Sequence, residues 1–195
     1  MELKLSTLAL VTAIAATGCF NEPEPAYKSV PAENRVYLSD KGLKALPEIN
    51  AKADYLNLDR NQLEKADGVE KLTELKWLRL NDNRLAALPD LKGLVNLRRI
   101  YLKNNRFAAV PETLKDLPSL TDIDLSGNPI KDVPAWLAEK KGLKNLSFSR
   151  TQVTKLPENL EEWKSLQCLQ LGDLNIPAAE MARIRSVLPN VAIVF

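Results

Sequence analysis

A short pattern returns along most of this chain, with its apolar and asparagine positions kept while the residues between them vary. It is L-K-W-L-R-L-N-D-N-R-L at 75–85, L-R-R-I-Y-L-K-N-N-R-F at 97–107 and L-T-D-I-D-L-S-G-N-P-I at 120–130. The same register recurs at 143–153 and 166–176. Such a period constrains the fold more than any other feature, because each unit can bury its apolar side only against its neighbours.

The units can be counted from their sixth position, which is always a large apolar residue. Successive sixth positions lie 20 to 23 residues apart, at Leu38, Leu58, Leu80, Leu102, Leu125, Phe148 and Leu171. Val191 and Ile193 match the fourth and sixth positions of a last, truncated unit. The chain should therefore contain about eight short strands, one for each unit.

The pattern L-x-x-L-x-L-x-x-N-x-L resembles that of the leucine-rich repeat family. The resemblance implies an α/β solenoid, a curved right-handed horseshoe arc with about eight short parallel strands on its concave face. Short helical or 3-10 turns would lie on the convex face. We assign this domain to residues 35–195 and a C-terminal cap to 177–195, where Pro177 would start an amphipathic helix that a final strand follows.

The ninth position of four consecutive units is asparagine: Asn61, Asn83, Asn105 and Asn128. Buried amides at this turn out of the strand should bond to backbone groups of adjacent units and form a structural ladder, since buried polar groups need partners. Lys41, Thr151 and Leu174 occupy the equivalent positions elsewhere. We therefore expect the ladder to be incomplete at both ends.

The N-terminal residues indicate export. Lys4 precedes an apolar stretch at 5–16, too short to span a membrane and typical of a signal peptide, which we assign to residues 1–18. Ala16-Thr17-Gly18-Cys19 resembles a bacterial lipobox, and this resemblance implies a lipid on Cys19, followed by a linker to residue 34. Ordinary secretion and a cytoplasmic chain with a fortuitous apolar start are the alternatives.

The two cysteines bear on compartment and stability. They are Cys19 and Cys168, so a lipid on the first would exclude an intrachain disulfide. The lipoprotein resemblance also implies a place in the bacterial envelope. Phe20 instead of Asp after the lipidated residue favours the outer membrane, with the domain facing either the periplasm or the cell surface.

Residue types that catalysis commonly needs are missing. The chain has no histidine, no glycine-rich phosphate loop and no nucleophile elbow, so we expect no enzyme activity, no cofactor and no metal site. A net charge of +2 gives no argument for nucleic acid as a partner. We expect a monomer that contacts the membrane only through its lipid.

The variable strand positions three and five should face outward on the concave side, because side chains alternate along a strand. In the first units these positions and their flanks carry aromatic and basic residues, the types enriched at binding hot spots. The candidate ligand site comprises Arg35, Tyr37, Tyr55, Trp77, Arg79, Arg99, Tyr101 and Lys103. Alternatively, the aromatics merely suit strands and Arg99 stacks on Trp77 or pairs with Asp122.

These features predict a non-enzymatic envelope lipoprotein that binds a protein or peptide on its concave face. The alternative is an envelope-organising lipoprotein that binds peptidoglycan or another glycan, since aromatic surfaces also stack on sugars. Outward strand side chains are expected to support no core. Substituting them should then affect binding far more than folding.

Overall fold

A computed structural model describes residues 31–195. The predicted signal peptide, Cys19 and the linker as far as residue 30 lie outside the described residues. In the described part, eight strands form one parallel sheet in chain order. They are β1 Arg35–Tyr37, β2 Tyr55–Asn57, β3 Trp77–Arg79, β4 Arg99–Tyr101, β5 Asp122–Asp124, β6 Asn145–Ser147, β7 Cys168–Gln170 and β8 Ala192–Val194. The predicted solenoid architecture is confirmed.

Short helical segments lie directly before β1 and in several of the connections between the strands. The 3-10 helices are Ala32–Asn34, Val69–Lys71, Glu112–Leu114 and Leu160–Glu162, and the α-helices are α1 Ala135–Ala138 and α2 Ala178–Val187. None of the helices between residues 31 and 195 has both the length and the apolar character needed to span a bilayer. The convex side is thus built from single turns rather than long helices.

The repeated apolar positions form one continuous core. In the unit of β3, Leu75, Leu78, Leu80 and Leu85 have no exposed surface, and their equivalents in the neighbouring units join the same cluster. Each unit closes one side of this core for the next, so burial depends on stacking rather than on any single unit.

The ninth-position asparagines bridge neighbouring units. Asn83 donates through Nδ2 to the carbonyl oxygens of Leu58 (3.0 Å) and Leu80 (3.1 Å), and its Oδ1 accepts from the Leu63 amide at 3.1 Å. The same bonding recurs at the other three, Asn61, Asn105 and Asn128, and all four are buried. Each amide therefore satisfies backbone groups that the turn out of the strand leaves unpaired.

In all seven units the residue before the ninth position has a left-handed backbone, which we did not anticipate from the sequence. The φ angles lie between 53° and 68° at Asp40, Arg60, Asp82, Asn104, Gly127, Arg150 and Asp173. Six of the seven are not glycine, although this conformation costs an L-residue roughly 1–2 kcal/mol. Four of these residues directly precede the buried asparagines, whose hydrogen bonds between stacked units hold the turn in this conformation.

Gly127 is the glycine in this row, and we expect Gly127→Ala to lower the free energy of unfolding by about 2 kcal/mol. Its φ is +68°, and an added Cβ would lie 2.1 Å from Oδ1 of Asn104. That amide donates to Asp82 Oδ1 at 2.6 Å, so moving it would also break a side-chain hydrogen bond. Urea denaturation followed by circular dichroism measures the effect.

Gly142→Ala is the control for backbone strain, because Gly142 has φ +83° and nothing lies within 4 Å of its added Cβ. We expect it to cost about 1 kcal/mol. Adding Asn104→Ala should recover part of the Gly127→Ala loss, since the clash is then absent. Full additivity of the two substitutions would show that the contact with Asn104 is unimportant.

The C-terminal end closes the solenoid with α2 and β8. Ile184 and Leu188 are buried against the last repeat, and β8 pairs with β7. The register differs from our alignment, because Ile193 lies opposite Leu169 and so takes the fourth position, not the sixth. The helix continues to Val187 and is followed by a turn, which delays the strand by two residues.

At the N-terminal end, the residues directly before β1 are already tied to the domain. Residues Ala32–Asn34 form a 3-10 helix, and the carbonyl of Asn34 accepts from the Asp54 amide at 3.0 Å. The segment we assigned to the linker thus ends in an ordered turn that pairs with the second unit.

Candidate ligand-binding face

The parallel register sets positions three and five of the units side by side in two rows, which together we call the concave face. Position three runs Arg35, Tyr55, Trp77, Arg99, Asp122, Asn145, Cys168, and position five runs Tyr37, Asn57, Arg79, Tyr101, Asp124, Ser147, Gln170. Seven of the eight candidate site residues therefore lie in these rows, and Lys103 follows β4 by two residues.

The aromatic side chains of the first three units pack against one another. The Tyr37 and Tyr55 ring centroids are 5.3 Å apart, and Tyr55 meets Trp77 edge-on at 6.2 Å. Only 6% of Tyr55 and 9% of Trp77 is exposed. The expectation that outward strand residues support no core is wrong for these two, because strands about 4.8 Å apart let large side chains cover their neighbours.

The arginines are held by specific contacts. Arg79 forms an ion pair with the buried Asp59 at 2.6 Å, and its guanidinium lies 5.2 Å from the Tyr101 ring centroid. Arg99 lies 5.4 Å from the Trp77 ring centroid and 3.6 Å from Asp122. Both contacts that we considered as the alternative for Arg99 are therefore present. They fix both guanidinium groups in position.

The later units present a different, more closed surface. Asp122 and Asp124 are buried, and Asp124 Oδ1 accepts from the amide (2.9 Å) and the hydroxyl (2.6 Å) of Ser126. Burial raises the pKa of Asp124. Cys168 is completely buried in β7. These three side chains therefore offer little accessible area to a ligand.

The accessible part of the candidate site is consequently smaller than its sequence pattern suggests. Tyr37 is 51% exposed and the Arg79 side chain 37% exposed, while Arg35, Tyr101 and Lys103 are half-buried. Burial raises the pKa of Tyr101 to about 12, so its phenol stays neutral at physiological pH. Neutral phenols beside guanidinium groups suit hydrogen bonding and packing against a partner, not proton transfer.

No group of three metal-binding side chains suited to holding an ion occurs among the residues that the structure describes. The buried carboxylates of the concave face are used in hydrogen bonds and ion pairs within the repeats. The arrangement thus supports recognition of a ligand by shape and charge.

Our sequence analysis missed the column at position two, directly before each strand. It contains Lys76, Arg98, Thr121, Lys144 and Gln167. Four of these residues line a cavity of about 390 Å³ together with Trp77, Asp122 and Asn145. Comparing this column across units would have revealed its basic character, because in-register units bring such residues together.

Comparison with known proteins agrees with this architecture. Residues 73–130 match the family profile described as leucine rich repeat. A leucine-rich repeat protein from Leptospira interrogans is 31% identical with a TM-score of 0.68, and the match covers 74% of this chain and 38% of that one. No curated protein matches the sequence.

An internalin from Listeria monocytogenes shares the fold at 22% identity and a TM-score of 0.60, over 73% of this chain and 40% of its own. The chain thus spans less than half the length of either structure. The repeated apolar positions, the eight-stranded parallel sheet and these similarities agree with one another, and the chain belongs to the leucine-rich repeat family.

Proposed function

We propose that this chain is a lipid-anchored protein of the bacterial envelope whose concave face binds a protein or peptide. The leucine-rich repeat fold is typical of non-enzymatic, protein-binding proteins. The observation that carries the proposal is the exposed part of the concave face, where Tyr37, Arg79 and Tyr101 present aromatic and basic groups held by their neighbours. Such preorganised residues are typical of binding hot spots, because little side-chain freedom is lost on binding.

The binding role can be tested with two substitutions on this face. Peptides selected from a random phage-displayed library on the mature protein serve as probes. Tyr37→Ala and Tyr101→Ala should each weaken binding by about 30-fold, since removing a hot-spot aromatic costs about 2 kcal/mol. Fluorescence polarisation with a synthetic copy of the best peptide measures the dissociation constant.

Trp136→Phe is the control, because Trp136 lies in α1 on the convex side. It should bind as wild type does. If Trp136→Phe abolishes binding while both tyrosine variants bind normally, the partner surface is convex and the proposal fails.

Glycan binding is the second candidate function, favoured by the row of aromatic rings that starts at the exposed Tyr37. Purified peptidoglycan sacculi in a sedimentation assay distinguish the two. Glycan binding would replace protein binding as the proposed function if two results hold. The protein is retained on sacculi while Tyr37→Ala is not, and the library yields no peptide that binds.

The anchor is proposed from the apolar segment before Ala16-Thr17-Gly18-Cys19. Two or more acyl chains would hold the protein stably on a bilayer, whereas one would not. Cys19→Ala should abolish incorporation of labelled palmitate and move the protein out of the membrane fraction. Continued labelling of this variant would contradict the lipid anchor.

The linker bears on how the domain is displayed. The roughly twelve residues before the ordered turn at Ala32–Asn34, at about 3.3 Å each, could place the domain at most roughly 40 Å from the lipid. We propose an outer-membrane location, on the periplasmic or the surface side. Protease treatment of whole cells, compared with lysed cells, decides between the two sides.

A further inference from the structure

The cavity of about 390 Å³ at the start of β3 to β7 suggests which kind of peptide the concave face would take. Its lining residues come from positions two and three of consecutive units, so it is a groove across the strands rather than a gap within one unit. A groove in this direction crosses strands about 4.8 Å apart, which suits an extended chain lying along the solenoid.

The charges around the cavity do not balance. Asp122 is its one lining carboxylate, and this side chain lies 3.6 Å from Arg99, bonds to the Thr121 hydroxyl and accepts from Asn145 Nδ2 at 2.5 Å. The negative charge of Asp122 is thereby compensated by groups of the protein itself. A ligand in the cavity would therefore meet little negative potential.

Two cations of the lining remain without an opposite charge. Arg98 and Lys144 are exposed, and within residues 31–195 neither has an ion-pair partner. By contrast, Lys76 in the same column pairs with Asp54 at 3.0 Å. With Thr121 between them, Arg98 and Lys144 stand two units apart, roughly 10 Å at the strand spacing. This distance matches about three residues of an extended peptide.

Trp77 adds a donor that lacks an acceptor. It lines the cavity and is nine-tenths buried, yet its Nε1 makes no hydrogen bond with any described residue. A buried donor left unpaired costs about 1–3 kcal/mol.

We propose that the cavity formed by Trp77, Arg98, Asp122, Lys144, Asn145 and Gln167 binds an acidic peptide segment of a protein partner. The carboxylates of that segment would pair with Arg98 and Lys144. The inference rests on the proposed binding function and specifies the charge of its ligand.

The test uses the same random peptide library on the mature protein. Peptides retained by wild type should be enriched in Asp and Glu, and R98Q/K144Q should weaken the best one at least about tenfold. Wild-type affinity should also fall as salt rises, because exposed charges are screened. The matched control K115Q/K141Q removes the same two charges from exposed convex positions and should bind as wild type does.

Two results distinguish a failure of the acidic-ligand inference from a failure of the proposed binding face. Peptides that are not acidic, or that bind R98Q/K144Q as tightly as wild type while Tyr37→Ala weakens them, overturn the acidic-ligand inference and leave the binding face in place. Peptides that bind Tyr37→Ala, Tyr101→Ala and R98Q/K144Q all as tightly as wild type overturn the binding face and this inference together.

Discussion

Trp77→Ala is expected to lower the free energy of unfolding by about 3 kcal/mol, although Trp77 lies on the solvent side of its strand. Only 9% of the residue is exposed, its ring meets Tyr55 edge-on, and the Arg99 guanidinium covers it. Truncation would remove these contacts and expose the Tyr55 side chain. Urea denaturation followed by circular dichroism gives the change, provided that the slope with urea stays the same.

Tyr37→Ala is the matched control on the same face. Tyr37 is an aromatic residue in the edge strand β1 with half of its surface exposed, so its removal should cost less than about 1 kcal/mol. Equal losses for Tyr37→Ala and Trp77→Ala would show that the aromatic row does not contribute to the packing of the repeats. The comparison also separates binding from folding, because Tyr37, unlike Trp77, can be removed without a large loss of stability.

Asn105→Ala is expected to cost about 3 kcal/mol, the upper end of the penalty for unpaired buried polar groups. Its Nδ2 donates to the carbonyl oxygens of Leu80 (2.9 Å) and Leu102 (3.0 Å), and its Oδ1 accepts from the Leu85 amide at 3.0 Å. These groups belong to two stacked units, and water cannot replace the lost amide without entering the core. The melting temperature and urea midpoint should both fall.

Asn61→Ala should cost less, although Asn61 is as buried as Asn105, with 8% and 7% exposed. Asn61 bonds to the amides of Lys41 and Leu43 in the first unit, where the backbone is partly exposed. Water can hydrate these groups once the side chain is gone. An equal or larger loss for Asn61→Ala would mean that position along the solenoid does not control the cost.

The candidate site could be located from the sequence but not evaluated from it. Alternation along the strands correctly placed Tyr37, Tyr55 and Trp77 on one face. The alternation alone could not show that Tyr55 and Trp77 are covered while Tyr37 is exposed. That outcome depends on side-chain volumes in neighbouring units some twenty residues away, which no local pattern contains.

The ion-pair partner of Arg79 was equally beyond the pattern. Arg79 and Asp59 are 20 positions apart in the chain, and their ion pair exists only because β2 and β3 stack in register. The uncompensated pair Arg98 and Lys144 became visible in the same way, once Asp122 was seen to be occupied by other partners.

The sequence by itself determined the architecture of this protein. The spacing of Leu75, Leu78 and Leu80 recurs along the chain, with the equivalent of Asn83 kept in four consecutive units. Each unit can bury its apolar side only by stacking, so the parallel order of strands follows from the period. The tertiary structure alone decided the exposure of the concave residues, the left-handed turns before the asparagine ladder and the register of β8. These features depend on contacts between units, where side-chain shape and charge, rather than periodicity, set the lowest free energy.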